Sequence, residues 1–290
     1  MNVTFQFLHG IGLRRSHLTM PVIRDVASLL CRARLVPADL LVGAPVDTTF
    51  ELTVGGLRFQ YHLESDDLFG SGLFWCGASN FERDTVPLFV EFAKNAHRIV
   101  DVGAHTGFYT LLASVANAGC EVMSFEPLPA TFNRLIKNIR VNNLGARCVP
   151  FEAAVSDRVS KTSLSVPIDK TMTFIDAAAG TVPVSTTTLD AVIPRDGKTK
   201  LIKIDVEGHE LAVLAGMNQT LVDSRPTIFF ECNPGGPAVE IEEFLRSHSY
   251  RIFSIVDGQP KELHRLIPEE LPHKHHNFLA MPPESERCTT

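Results

Sequence analysis

The chain has 290 residues, 44% of them hydrophobic, enough for one large α/β domain with an extension or for two smaller domains. Its formal net charge of −6 speaks against a dedicated nucleic-acid binder, which normally carries a basic face. No uncharged apolar run reaches the roughly 18 residues of a membrane span. The basic residues of MNVTFQFLHGIGLRR follow the apolar stretch instead of preceding it as in a signal peptide. A soluble, cytoplasmic protein is expected. The six cysteines (Cys31, Cys76, Cys120, Cys148, Cys232, Cys288) form no C-x-x-C pair, and most sit in apolar runs. They read as buried free thiols of a reducing compartment and not as a disulfide framework or zinc site.

Along the chain, VIRDVASLLCRARL (22–35) has helical apolar spacing. TFELTV-GG-LRFQYH (49–62) alternates around Gly55-Gly56 and reads as a hairpin. FGSGLFW (69–75), rich in glycine and aromatics, reads as a loop over a pocket, and VPLFVEFAKNA (86–96) as an amphipathic segment. From Arg98 the pattern becomes regular. Strands are expected at 98–102, 121–126, 147–155, 200–205, 227–232, 250–256 and 277–281. Helices are expected at 107–118, 129–142, 207–217 and 239–248, and 161–189 reads as irregular with short strand-like pieces such as 181–184. Apolar strands alternating with helices predict a mostly parallel sheet covered on both faces, with seven strands.

The first of these strands ends in VDVGAHTG: Asp101, then Gly103 and Gly107. A dinucleotide fingerprint, G-x-G-x-x-G, needs a glycine where His105 stands, so that the backbone can approach a pyrophosphate. No G-K-[ST] follows, which excludes a P-loop. What remains is a glycine turn at a strand end and a helix N-terminus, which suit a carboxylate as well as a phosphate. Taken alone, D-x-G-x-x-x-G is also compatible with an ordinary strand–helix turn. The second strand, however, ends in Glu126, at the distance where an acid grips ribose hydroxyls. The third runs into Ser156-Asp157, placed to bracket an adenine. Adenine, ribose, a carboxylate and no phosphate describe S-adenosylmethionine.

VDVGAHTGFYTLLAS, SFEPLPATFNRLIKNI, AAVSD, STTTLDAVI, LIKIDVEGHELAVLAGM and HNFLAMP follow one another between about Glu82 and Pro282. With these pieces the sequence resembles the FkbM family of S-adenosylmethionine-dependent methyltransferases; DVEGHE (205–210) is the most specific of them. The resemblance implies the class I methyltransferase fold: a Rossmann-like, seven-stranded, mostly parallel sheet with an antiparallel last strand and helices on both faces. It also implies methyl transfer to a hydroxyl of a sugar, glycolipid or polyketide-type product. Carried over by position, Asp101, Gly103, His105 and Gly107 line the methionine end, Glu126 holds the ribose, and Ser156 with Asp157 faces the adenine. The family's loop often has Asn or His at the position of His105. The expected organisation is an N-terminal α/β extension and substrate lid at 1–85, a methyltransferase domain at 86–283 and a tail at 284–290.

For a weakly acidic hydroxyl the protein must help remove a proton. The fourth strand neighbours the first in this fold, which brings Asp205, Glu207 and His209 to the same rim. His209 is the first choice of base because imidazole titrates nearest neutrality, with Glu207 and Asp205 next. Glu207 and Glu210 also suit the helix dipole, and Glu231 could orient the substrate. His273, His275 and His276 read as a solvated loop in preference to a metal site. Mg²⁺ held by Asp205 and Glu207 is possible but not favoured. The alternatives are an NAD-dependent nucleotide-sugar oxidoreductase, for which the glycine and a Tyr-x-x-x-Lys pair are missing, and a catalytically silent binding protein of the same fold. The expected partner is a small-molecule or glycan acceptor with a free hydroxyl, and not nucleic acid or a membrane span.

Overall fold

A computed structural model describes residues 21–32, 35, 41, 44, 46–79, 81–165, 174–175, 182–268 and 276–283. The chain divides into two compact units, Met1–Phe81 and Glu82–Thr290. Among the described residues no helix is long and apolar enough to cross a membrane.

In the first unit, α1 (Pro21–Arg32) precedes a hairpin of β1 (Thr48–Val54) and β2 (Leu57–Leu63), followed by α2 (Leu68–Cys76). Gly55 and Gly56 both have positive φ, 55° and 83°. A two-residue turn that matches the strands' twist requires this. The segment expected as a glycine-rich loop is α2 instead. Asp67 caps it by accepting from the Gly70 N–H at 2.8 Å. A Cβ on Gly70 would sit 2.4 Å from the Asp67 carboxylate and 2.8 Å from the Tyr61 ring. That glycine serves close packing and not chain flexibility. Phe74 and Trp75 pack with Leu41, Val46 and Leu63 in the unit's own core.

In the second unit, α3 (Thr85–Ala93) leads into β3 (Arg98–Val102), α4 (Phe108–Ala116), β4 (Glu121–Phe125), α5 (Pro129–Val141) and β5 (Cys148–Phe151). A side sheet follows, of β6 (Ala154–Val155), β7 (Ser160–Ser165), β8 (Phe174–Ile175) and β9 (Val182–Thr187), in the order β6-β9-β7-β8. The expected third strand, 147–155, therefore splits between two sheets, and part of the stretch expected as irregular is regular. Then come α6 (Leu189–Val192), β10 (Thr199–Ile204), α7 (Glu210–Ala215), α8 (Asn218–Ser224), β11 (Thr227–Glu231), α9 (Ala238–Ser247), β12 (Arg251–Val256), β13 (Gln259–Glu262) and β14 (Asn277–Met281).

The main sheet runs β13-β12-β14-β11-β10-β3-β4-β5. Its parallel pairs are β3 with β4, β4 with β5, β10 with β3 and β11 with β10. β14 inserts antiparallel between β11 and β12, as a last strand of this fold class should. The eighth strand is β13, a short hairpin partner of β12. Strands β3 and β14 are buried along their whole length, as expected for strands covered on both faces. From β3 the chain winds outward one way through β4 and β5, then returns to place β10 on the other side of β3. The crevice beyond the strand ends at such a reversal is where open α/β sheets bind ligands.

Candidate active site

Two strand ends shape one side of the crevice. After β3, Gly103 (φ 80°), His105 (φ 50°) and Gly107 (φ 99°) all lie in the left-handed region. A Cβ on Gly103 would lie 1.8 Å from the Asp205 carbonyl oxygen. Only glycine lets β3 and β10 close at the reversal. A Cβ on Gly107 would meet Leu135 at 2.7 Å. Position 105 needs left-handed backbone, where Asn, Asp and His are the side chains most often tolerated. That gives a physical reason for the histidine where a dinucleotide loop has glycine.

Glu126 joins the two strand ends. One carboxylate oxygen accepts from the His105 N–H and the other from the Leu128 N–H, both at 3.0 Å. The residue is 6% exposed. Burial pushes its carboxyl up to about 7, against the pull of those two N–H groups. Each oxygen keeps a second lone pair for a further donor. Asp101 lies deeper: its Oδ2 accepts from Thr110 Oγ1 at 2.7 Å, and Thr110 also reaches Ser124 at 2.6 Å. Burial raises Asp101 to about 6, opposed by Thr110 and Lys203.

Ser156 follows β6, its N–H bonded to the Thr187 carbonyl. Its hydroxyl lies 3.1 Å from Asp157 Oδ1 and 3.0 Å from His209 Nε2. Asp157 is exposed and is held below the ordinary carboxylate range by Arg158. Gly216, at the end of α7, comes so close to this turn that a Cβ would lie 2.1 Å from the Ser156 carbonyl oxygen.

The rim beyond β10 is acidic. Carboxylate oxygens of Asp205, Glu207 and Glu231 lie within 4.8 Å of one another, and Lys203 Nζ donates to Asp205 Oδ2 at 3.0 Å. Burial pushes Asp205 upward, but the Lys203 ammonium and hydrogen bonds from Glu231 and Lys203 outweigh it and hold the carboxyl below its ordinary value. Glu231, raised to about 9 by burial and by Asp205's charge, carries the proton of the pair. Glu207 is raised to about 7, by burial first and then by the charges of Asp205 and Glu210. The turn that presents it is unusual. Glu207 (φ 52°) and Gly208 (φ 94°) are both left-handed, a cost that persists only where the surroundings fix it. Glu210 supplies the fixing: its Oε1 accepts from Gly208 N–H at 3.0 Å and from Val206 N–H at 3.4 Å.

These positions form one band along the strand ends, with a division the spacing did not show. His209, expected as the base, points its Nε2 at Ser156, and burial lowers its pKa while Asp157 opposes this. The cluster of rim carboxylates is Asp205, Glu207 and Glu231. Of the histidine group, His276 is the described member; its carbonyl accepts from Cys232 N–H beside β11. His273, His275, Glu269 and Glu270 lie outside the described residues. Sequence reasoning passed over Lys203, Glu82, Tyr109 and Asn277. The available signal was a lysine inside the apolar run LIKI.

A family model described as the methyltransferase FkbM domain matches residues 101–252. The chain belongs to the FkbM methyltransferase family. The FkbM match spans the glycine turn, Glu126, Ser156 and the rim carboxylates. A relative, hexuronic acid methyltransferase AglP of Haloferax volcanii, is 30% identical over 143 residues, 48% of this chain and 58% of AglP. The chain thus aligns with less than two thirds of that relative's length. Methyltransferase 1 of Beauveria bassiana is 24% identical over 53% of this chain and 72% of its own. Among solved structures, methyltransferase FkbM from Methylobacillus flagellatus is 18% identical, covering 64% of this chain and 43% of that one, with a TM-score of 0.44.

Proposed function

We propose that this FkbM-family protein is an S-adenosylmethionine-dependent O-methyltransferase acting on a hydroxyl of a sugar, glycolipid or polyketide-type molecule. The observation that carries the reading is Glu126, whose two oxygens each keep a lone pair for a ribose hydroxyl, beside a loop with His105 where a dinucleotide loop has glycine. The donor set suits the ligand: buried carboxylates at Asp101 and Glu126, with half-buried Asp205, favour a bound cation and a diol over a phosphate. When bound, S-adenosylmethionine supplies an electrophilic methyl group and a neutral leaving group. Glu126 would hold the ribose, and Ser156 with Asp157 would face the adenine. The glycine turn at 103–107 would face the methionine end.

A hydroxyl acceptor needs a base. Glu207 supports this role better than His209, because it stands in the carboxylate cluster and is raised to about 7, where it is half ionised at neutral pH. A sugar acceptor is supported by the similarity to AglP, a hexuronic acid methyltransferase. Acceptor choice is assigned to residues 1–85, which lie outside the family match at 101–252; exchanging that segment with a relative's should exchange acceptor preference. The reading is tested by calorimetry with S-adenosylmethionine, S-adenosylhomocysteine and NAD, followed by release of S-adenosylhomocysteine with a panel of hexosides. Binding of NAD in place of the other two would overturn it.

A further inference from the structure

Lys203 is fully buried next to the C-terminal end of β10, with no exposure at all. An ammonium is expelled from such a place unless it is paired and hydrogen-bonded. Here it donates to Asp205 Oδ2 at 3.0 Å and to Asn277 Oδ1 at 3.1 Å, and it lies 5.3 Å from the centre of the Tyr109 ring. Asn277 in turn donates through Nδ2 to Glu82 Oε2 at 3.0 Å, and the Tyr109 hydroxyl donates to that same oxygen. Four elements thus converge on one side chain. β14 contributes Asn277, α4 contributes Tyr109, Glu82 lies just before α3, and Asp205 follows β10 itself. Register pairing sets Lys203 beside Asp101 of β3.

Three carboxylates crowded at the rim, with Glu210 behind them, would repel one another if no cation balanced them. Lys203 acts on Asp205, Glu231 and Glu207. It is fully buried, so it stabilises charge at the rim without meeting solvent.

We propose that Lys203 is the positioning residue of the methyl-transfer rim: clamped between Asp205 and the Asn277–Glu82–Tyr109 chain, it fixes the Asp205–Glu231 pair and leaves Glu207 as the carboxylate that takes the acceptor's proton. This rests on the methyltransferase reading. In the step itself the acceptor O–H bond breaks and its proton passes to a Glu207 oxygen. Bound S-adenosylmethionine would supply the methyl group to the acceptor oxygen, its sulfur keeping the electron pair of the bond given up, while Glu207 holds the released proton.

The groups facing the rim are Asp101, His105, Asp205, Glu207, Glu210 and Glu231, with Lys203, Tyr109 and Glu82 below. Removing the one lysine should therefore raise Glu207, since every other neighbour in its balance pushes the same way. The test is a carboxyl-carbon NMR titration of the full chain labelled in glutamate, with S-adenosylhomocysteine present and the Glu207 signal assigned by its loss in Glu207→Gln. In the wild type its midpoint should fall near 7. In Lys203→Met it should rise by a resolvable amount, about half a unit, because Lys203 is the one opposing charge on Glu207 and the smallest of the influences on it. An unchanged midpoint in a folded Lys203→Met protein overturns the proposal.

If that variant does not fold, the wild type decides. Its Lys203 Nζ signal in a lysine-nitrogen titration should remain that of an ammonium up to lysine's ordinary 10.5, and deprotonation below that value overturns the proposal. The titrations can also be read without added ligand. A chain that fails to bind S-adenosylhomocysteine thus counts against the methyltransferase reading, separately from the role of Lys203.

Discussion

Replacing Glu126 by glutamine keeps the shape of the side chain and changes its chemistry at both oxygens. In the wild type the two oxygens accept the His105 and Leu128 N–H groups, each at 3.0 Å. An amide offers one oxygen and one NH₂, so one of those N–H groups must face another donor. Leaving a buried donor unmatched costs about 1–3 kcal/mol of stability. On the ligand side, a carboxylate that accepts two ribose hydroxyls contributes about 1.5–3 kcal/mol for each charge-assisted bond. Losing one bond and the charge behind the other removes about 2–4 kcal/mol, roughly 30- to 1000-fold in dissociation constant. Glu126→Ala, which loses both, should cost about 10²- to 10⁴-fold. The pH dependence is a separate check. Burial places the wild-type carboxyl at about 7, and its protonated form behaves much like the amide. Affinity for S-adenosylhomocysteine should rise with pH through about 7 and level off above it, whereas Glu126→Gln should show no such limb. Calorimetry between pH 6 and 8, with thermal melts to confirm folding, reads both. A Glu126→Gln dissociation constant within about threefold of wild type, or a limb that survives the substitution, would refute the reasoning.

Other outcomes follow from the same geometry. Gly103→Ala places a methyl 1.8 Å from the Asp205 carbonyl at φ 80°, and should cost about 2–4 kcal/mol in urea unfolding; a loss below about 0.5 kcal/mol would show that β10 can yield. Folded-state pKa values near 6 for Asp101 and near 7 for Glu126 and Glu207 lie above the ordinary carboxylate values. Their contribution to stability is fully present below about pH 4 and is lost as pH rises through 6–7. The ligand-free protein should therefore melt lower at pH 8 than at pH 6, and a higher melting temperature at pH 8 would count against these values. With a hydroxyl acceptor, Glu207→Gln should lower turnover by about 10²- to 10⁴-fold while His209→Ala mainly weakens cofactor binding; the reverse pattern in steady-state kinetics would return the base to His209.

Most of the second unit could be read from its sequence because each strand is a short apolar run closed by a turn signal, as RIVDV by Gly103 and EVMSFE by Pro127. The side sheet could be read only in part. Only the start of β9 showed, where Val182 and Val184 alternate with exposed residues, whereas β7 is rich in Ser and mostly exposed or half-buried and carries no such mark. FGSGLFW misled for a different reason: glycine looks alike in sequence whether it frees the chain or lets Tyr61 and Asp67 come close. In the site, motif spacing placed Asp101, Glu126, Ser156 and Asp205 along one edge. It could not tell that two residues, from Glu207 to His209, separate the carboxylate cluster from the side chain facing Ser156. That separation arises from the left-handed turn at 207–208, a backbone state that Gly208 alone does not announce. The Lys203 chain was missed because its partners lie far apart in sequence, from Glu82 to Asn277.

The helix Glu210–Ala215 has a use beyond packing. At its start, Glu210 pins the turn that presents Glu207; at its end, Gly216 lies against the Ser156 carbonyl. Six residues rise about 9 Å, and His209 just before the rod and Gly216 just after it both meet Ser156, so the rod's length fixes two contacts with one turn at once. One inserted residue would lengthen the rod by only about 1.5 Å but rotate everything after it by about 100°. Gly216 would then swing away from Ser156. Relatives should accept substitutions within this helix far more readily than any change in its length.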